Sequence, residues 1–241
     1  MGNMKNKFKI ISLVFFILVS NSLQAQVLIS LLFGDALNSE RIEFGLTGGL
    51  NRSYLNNYND SDGLNNFNLG FYFNIKLQEK SFLSTGVYVK NKMGATGMPV
   101  YLLNDPEFDE VFKDGTLTTK INYFYVPIMY QQRINNRFLI EGGIQAGLRT
   151  KAYDFFRKEL LDGDAEFKNE VSDDFARLDF GVVGGMGYKL KKDPKSMSVG
   201  FLYYSGLVDA IIIPNVSAKN SSLNFYIRIP IGANKDPAVS Q

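Results

Sequence analysis

The chain has 241 residues, with 26 Lys and Arg against 24 Asp and Glu, and it contains neither Cys nor His. The missing Cys excludes disulfides, thiolate nucleophiles and Cys-ligated metal sites, and the missing His excludes Ser-His-Asp triads and imidazole bases. A formal net charge of +2 gives no indication of a nucleic-acid partner. Because 14% of the residues are aromatic and 22 are Gly against 7 Pro, the composition favours an all-β protein with many strands. We expect no enzyme, no cofactor and no metal site.

The first 25 residues have the organisation of a signal peptide. Lys5, Lys7 and Lys9 precede an apolar run over residues 10–19, and Leu23-Gln24-Ala25 follows. The alternative, a transmembrane helix, needs about 20 apolar residues, and this run falls well short of that length. We predict cleavage after Ala25 and export of the remaining chain across the inner membrane.

Apolar and polar residues alternate with a period of two through most of the remaining chain. In Phe67–Leu77 every odd position is apolar, and the even positions are Asn, Gly, Tyr, Asn and Lys. Such alternation predicts strands with one apolar face. We predict eight strands of about ten residues or more, against about five or six in soluble sheets. They cover residues 42–51, 67–77, 81–91, 119–133, 137–150, 175–190, 197–208 and 223–231.

The connections between these strands alternate between long and short. Tight turns are predicted at residues 78–80, 135–136 and 191–194, and long polar connections at about 53–66, 92–118, 151–174 and 209–218. In an up-and-down barrel this order places every long connection at one end. Outer-membrane barrels have this asymmetry, with short periplasmic turns and longer outward loops.

The predicted fold is therefore all-β, an eight-stranded antiparallel up-and-down transmembrane β-barrel in an outer membrane. The barrel would cover residues 42–232, after a periplasmic amino-terminal segment at 26–41 and before a tail at 233–241. An even number of strands places both termini on the periplasmic side.

Alternation alone does not decide which face of the barrel is apolar, because a soluble lipocalin-like barrel alternates with its apolar side inward. The polar faces mix charged residues with glycine, as in residues 141–149 and 177–187. Glycine weakens a solvated strand, but inside a narrow barrel it leaves room for long side chains. We therefore expect apolar faces in lipid and a closed lumen with balanced charges. The predicted lumen charges are Glu43, Lys76, Glu141, Arg149, Arg177, Asp179 and Arg228.

Tyrosines suit two places in such a barrel, since both an interfacial girdle and a polar lumen accept a ring with a hydroxyl tip. Candidates for the girdles, several of which would fit the lumen equally well, are Tyr54, Tyr88, Tyr123, Tyr125, Tyr130, Tyr188, Tyr203 and Tyr226.

Short motifs occur in order along the chain. They include Leu31–Ser39, the Tyr-aliphatic-Pro strand Asn122–Ile128, Glu141–Gly143, Asp179–Gly181 and Tyr204–Asp209. In these motifs and their order the sequence resembles the Bacteroidota-type outer-membrane β-barrel proteins called porin-like or PorT-like. The resemblance covers the chain after the signal peptide. It implies an outer-membrane barrel and not a particular activity, because a fold does not fix a function.

Three functions remain open at this stage. The first is a structural or accessory barrel that contacts outer-membrane or periplasmic proteins, with lipid and lipopolysaccharide around it. The others are a small solute pore and a soluble periplasmic binding barrel. The candidate docking residues are Leu31, Leu32, Phe33, Gly34 and Asp35, because an apolar run of this kind next to a barrel must be covered by the barrel floor or by a partner. Asp60-Ser61-Asp62 and Asp173-Asp174 match no EF-hand spacing, so we expect a solvated surface there and not a calcium site.

Overall fold

The computed structural model describes residues 39, 41–57, 61–135, 137–160, 163–193, 195–213 and 217–231. The predicted signal peptide, the candidate docking residues Leu31–Asp35 and the predicted tail lie outside these residues. The described strands are β1 (Ile42–Asn56), β2 (Asp62–Lys76), β3 (Ser81–Met98), β4 (Thr116–Ile134), β5 (Phe138–Leu160), β6 (Gly163–Glu170), β7 (Leu178–Lys189), β8 (Ser198–Gly206) and β9 (Lys219–Pro230). A helix, α1 (Pro106–Phe112), and a 3₁₀ turn (Ser172–Asp174) lie between them.

Eight of these strands close into a ring of antiparallel neighbours. The order around the ring is β1, β2, β3, β4, β5, β7, β8 and β9, and β9 pairs back with β1. β6 stands outside the ring and pairs only with the second half of β5, from Tyr153 to Leu160. We call the end with the connections after β2, β4 and β7 the tight-turn end, and the opposite end the long-connection end.

Alternation along the strands sorts the side chains to the two faces of the barrel. On β4 every second residue from Leu117 to Arg133 is buried and faces inward. The residues between them face outward, and those from Phe124 to Ile134 are Phe, Val, Ile, Tyr, Gln and Ile. On β5 the outward residues from Phe138 to Leu148 are Phe, Ile, Gly, Ile, Ala and Leu. Both bands are uncharged and match the roughly 9–11 residues with which a tilted strand crosses a bilayer.

Apolar side chains are exposed on the outside of the ring. Ile128 is 47% exposed, Ile140 54%, Met186 67% and Phe201 52%. A soluble barrel would bury such side chains and expose polar ones, so the burial pattern is that of a barrel whose solvent is lipid. Within the described ranges, no helix is long and apolar enough to cross a membrane.

The strands at the long-connection end are longer than predicted. Residues 151–174, expected to form a polar connection, instead continue β5 to Leu160 and return as β6. β1 and β2 likewise extend into the predicted connection at 53–66. The predicted connection at 92–118 contains the end of β3, the helix α1 and the start of β4. The alternation weakens there because strands beyond a lipid layer no longer need a uniformly apolar outer face.

A small aromatic core lies at the long-connection end, between α1, β5 and β6. Asp105 caps α1 by accepting a hydrogen bond from the Glu107 backbone N–H at 3.0 Å, and Pro106 begins the helix. Phe112 of α1 is buried, with its ring centroid 6.0 Å from that of Phe156 on β5. The ring of Phe108 lies 4.8 Å from that of Phe167 on β6. We call α1 with residues 99–105 that lead into it, the second half of β5 and β6 together the platform.

Candidate functional site

Tyrosine rings fill the middle of the lumen. Among the described residues six tyrosines are buried, and four of these are almost completely enclosed: Tyr123, Tyr125, Tyr204 and Tyr226. The ring centroids of Tyr123 and Tyr125 are 5.0 Å apart, and those of Tyr125 and Tyr204 are 5.6 Å apart. Such separations are those of packed aromatic pairs, so no open channel passes between these three rings.

Glycines on neighbouring strands make room for these rings. A Cβ on Gly147 of β5 would collide with the Tyr125 ring, and a Cβ on Gly200 of β8 would lie 2.6 Å from Cζ of Tyr226. A larger residue at either position would have to displace a tyrosine, because real Cβ atoms do not approach so closely.

One polar cluster lies toward the tight-turn end of the lumen, around Glu43 of β1. Its carboxylate accepts hydrogen bonds from the Tyr72 hydroxyl at 3.1 Å and from Asn74 Nδ2 at 2.9 Å. Arg133 of β4 reaches the same carboxylate, with Nη2 3.3 Å from Oε2. The guanidinium of Arg133 also lies 3.6 Å from the centroid of the Phe82 ring. The buried charge of Glu43 is therefore paired across the lumen, from β1 to β4.

A second cluster surrounds Glu141 of β5. Its carboxylate accepts hydrogen bonds from Gln131 Nε2 at 2.6 Å and from the Tyr226 hydroxyl at 3.0 Å. Arg228 of β9 forms an ion pair with the same carboxylate, and both side chains are almost completely buried. Arg133 Nε donates to Gln131 Oε1 at 3.4 Å. This bond joins the Glu141 cluster to the Glu43 cluster and makes one network.

A third cluster lies nearer the long-connection end, around Asp179 of β7. The Tyr125 hydroxyl and Asn220 Nδ2 donate hydrogen bonds to the Asp179 carboxylate, the second at 3.0 Å. Asn220 Nδ2 also donates to the Tyr123 hydroxyl at 3.3 Å. Asp179 is 2% exposed, so these donors replace the water that would otherwise solvate its charge.

The structure buries four of the seven residues predicted as lumen charges and leaves the other three exposed or partly exposed. Glu43, Glu141, Asp179 and Arg228 lie in the three clusters. Lys76 and Arg177 are exposed, at the end of β2 and just before β7, where the chain leaves the barrel. Arg149 is partly exposed, and its Nε donates to the backbone carbonyl of Ala176 at 3.3 Å.

Sequence reasoning missed Arg133, which joins two clusters. A signal was present, because Arg133 continues the row of inward odd positions on β4. It lies next to the tight turn, where a charged residue is also expected to face solvent. Of the two places left open for the tyrosines, the structure gives the lumen to Tyr88, Tyr123, Tyr125 and Tyr226, which are buried in the barrel. Tyr130 and Tyr203 are 51% exposed on the outer face.

A cavity lies at each end of the lumen, and the predominant charges of the residues that line the two cavities are opposite in sign. At the tight-turn end a small cavity of about 180 Å³ is rich in cations, with Arg41, Lys76, Arg133, Lys189, Lys192 and Lys195 in its lining. Only Glu43 and Glu79 oppose them among the described residues that line it. Lys189 is only 3% exposed, although it ends a strand at the mouth of the barrel.

A larger cleft of about 480 Å³ lies at the long-connection end, and we call it the acidic cleft. Its apolar lining is Leu55, Met98, Leu117, Val171, Phe175, Ile211 and Ile213. Its carboxylates are Asp154, Glu170, Asp173 and Asp174, and its other polar residues are Tyr101, Thr119 and Asn169. Burial raises the pKa of the Tyr101 phenol to about 12, so at neutral pH it is a protonated donor. Among the described residues, no group of three or more acidic side chains is arranged to hold a metal ion.

The sequence model of one protein family matches residues 24–211, and that family is described as the outer membrane protein beta-barrel domain. The match covers most of the chain and all of β1 to β8. The chain therefore belongs to this family, and the family places it in the outer membrane. No curated protein sequence matches the chain.

Solved outer-membrane proteins resemble the structure at low identity. Ail, the attachment invasion locus protein of Yersinia pestis, is 11% identical; the superposition covers 79% of this chain and 98% of Ail, with a TM-score of 0.41. Neisserial surface protein A is 10% identical over 78% of this chain and 96% of its own, with a TM-score of 0.38. OprG of Pseudomonas aeruginosa is 14% identical over 79% and 93%, with a TM-score of 0.36. At these values the similarities carry no argument about function.

The predicted fold class, an all-β, eight-stranded, antiparallel up-and-down outer-membrane barrel, is confirmed by the ring and by the family match.

Proposed function

We propose that this protein is a structural or accessory barrel of the outer membrane that acts through contacts with other molecules and does not transport solutes. The filled lumen carries the proposal. Tyr125, Tyr204 and Tyr226 are 0% exposed, and the Glu141–Arg228 pair spans the lumen nearer the tight-turn end. An eight-stranded barrel is just wide enough for side chains to fill, so these groups leave no room for an aqueous path. A small solute pore, the main alternative, would need them to move aside.

We infer that the tight-turn end and both termini face the periplasm and that the platform faces outward. Short periplasmic turns and longer outward loops support this orientation. The candidate docking residues Leu31–Asp35, which precede β1 in the sequence, would then be on the periplasmic side.

The platform offers a contact surface on the other side. Leu102 is 73% exposed, Phe108 41% and Val111 40%, and all three lie in or beside α1. Grouped exposed apolar side chains on a water-facing surface are typical of interaction sites. Contacts at the platform or at the amino-terminal segment are therefore the two routes by which the barrel would serve a larger assembly or bind lipopolysaccharide.

Two narrower proposals accompany this one. We expect no catalytic activity, because a chain without His and Cys lacks the usual bases and nucleophiles of outer-membrane hydrolases and transferases. We also propose kinship with the Bacteroidota-type porin-like or PorT-like barrels, supported by motifs such as Asn122–Ile128 and Asp179–Gly181.

The experiment compares proteins that co-purify with three forms of the full chain from its own outer membrane. The forms are the parent, the platform variant Leu102→Ser/Val111→Ser, and the segment variant Leu31→Ser/Leu32→Ser/Phe33→Ser. Folding of each is checked by the gel shift that a closed barrel gives before and after boiling in detergent. Loss of a co-purifying protein from one folded variant and its retention in the other supports the proposal. An identical set from all three folded forms contradicts it.

A further inference from the structure

The acidic cleft has both apolar and acidic groups in its lining. Phe175 and Ile211, which form an isolated bridge between the segments after the 3₁₀ turn and after β8, provide an apolar wall. The carboxylates in the lining include Asp154, Asp173 and Asp174. Its volume, about 480 Å³, lies in the range of about 300–1,000 Å³ that is usual for small-molecule sites.

Asp154 of β5 is the buried carboxylate of this cleft. Its side chain is buried, with the residue 6% exposed. The Thr119 hydroxyl donates to Oδ1 at 2.5 Å, and the Tyr101 hydroxyl donates to Oδ2 at 3.0 Å. Both donors are neutral, so they orient the carboxylate without balancing its charge. Burying a carboxylate is costly unless a cation pairs with it.

No cation of the described residues meets this need. Among the described residues that line the cleft there is neither Lys nor Arg. The nearby Lys151 pairs with Glu170 instead, at 3.3 Å, and both of these side chains are about half exposed. The cleft thus holds a buried, oriented and unbalanced negative charge next to an apolar wall.

We propose that the acidic cleft binds a small organic cation, with an ammonium group directed at Asp154 and an aliphatic or aromatic body on the wall formed by Phe175 and Ile211. Asp174 strengthens the attraction from the rim. The apolar wall selects for an organic body, which a bare metal ion lacks. This site goes beyond the proposed accessory role, because it would hold a ligand whether or not the barrel has a protein partner.

The test uses the full chain in nanodiscs of phosphatidylcholine, a lipid without net charge, with empty nanodiscs as the reference. Isothermal titration calorimetry compares 2-phenylethylammonium with two probes of similar shape, neutral 3-phenylpropan-1-ol and anionic 3-phenylpropanoate. The cation should bind at least about tenfold more tightly than the alcohol, and the anion should not bind. Equal affinity for the cation and the alcohol would overturn the proposal.

Matched variants locate the site. Asp154→Asn should weaken cation binding at least about tenfold, whereas Asp114→Asn should leave it unchanged. Asp114 is a suitable control, because it lies at the same end of the barrel but outside the cleft, with a side chain that is 82% exposed. Ile213→Ser, at the apolar rim, should weaken binding of the cation and of the alcohol equally.

If Asp154→Asn does not give the gel shift of a folded barrel, Asp174→Asn replaces it, and it should also weaken binding of the cation. Binding that is equal in the folded Asp variant and in Asp114→Asn would overturn the assignment.

Discussion

Glu141 and Arg228 form an ion pair across the lumen, although their strands, β5 and β9, are separated in the ring by β7 and β8. The pair is almost fully buried and is completed by hydrogen bonds from Gln131 and Tyr226 to the same carboxylate. It therefore connects distant parts of the ring through the interior, and the proposal that the lumen excludes solutes depends on it.

Removing one partner of this pair should destabilise the barrel strongly. Arg228→Met leaves the Glu141 carboxylate buried without its cation, and we expect a loss of about 3–5 kcal/mol in the free energy of unfolding. The double variant Glu141→Gln/Arg228→Met should be more stable than Arg228→Met alone, since it removes the unpaired charge. Urea unfolding in vesicles measures the free energy of unfolding of the parent, of Arg228→Met and of the double variant. The control is Arg157→Met, whose partner Glu166 is about half exposed, and it should cost less than about 1 kcal/mol. Equal losses for Arg228→Met and Arg157→Met would show that the lumen pair is unimportant.

The contact between Gly147 and Tyr125 makes a second prediction. Gly147→Val would push the Tyr125 ring away from Asp179, and we expect a cost of about 1–3 kcal/mol or more from overpacking. Gly142→Val is the matched control on the same strand, because a Cβ at Gly142 has nothing within 4 Å. Unfolding of the two variants in vesicles compares them. A barrel that tolerates both substitutions equally would not have the packed lumen described above.

The direction of the apolar face is tested at Ile144, which is 42% exposed on the outer side of β5. Ile144→Arg places a charge in the hydrocarbon layer and should destabilise the barrel by about 2–4 kcal/mol. Leu102→Arg serves as the comparison, because Leu102 is exposed in the connection between β3 and β4, which we expect to lie outside the lipid. It should leave the unfolding free energy nearly unchanged. Similar losses at both positions would argue that Ile144 does not face lipid.

The sequence predicted the ring well because lipid imposes a strict rule on each strand that crosses it. Phe67–Leu77 alternates cleanly and residues 119–133 more roughly, and from Phe124 to Ile134 the outward positions carry no charge, since a charged side chain facing lipid is costly. The same rule lapses beyond the lipid, and this is why the extension of β5 to Leu160 and its pairing with β6 were predicted as a polar connection.

The lumen was harder to predict than the ring. Alternation shows that Glu43, Glu141 and Arg228 share a face, but pairing across a lumen depends on the stagger of strands that are distant in sequence. Tyrosine adds a further ambiguity, because an apolar ring with a hydroxyl suits both faces. Tyr125 and Tyr130, five residues apart on one strand, illustrate this: the first is 0% exposed in the lumen and the second is 51% exposed on the outer face. Their opposite orientations follow from their odd and even positions, a rule that becomes usable once the inward face is known.

The most direct test of whether the lumen is closed is to record single-channel conductance in planar lipid bilayers with the purified, folded chain. Insertion is verified by the gel shift on boiling, so that a silent bilayer can be attributed to a folded protein. With Tyr125, Tyr226 and the Glu141–Arg228 pair in place, we predict no stable conductance at neutral pH. Reproducible, ion-selective channels from the unmodified protein would contradict a filled lumen and would favour a solute pore.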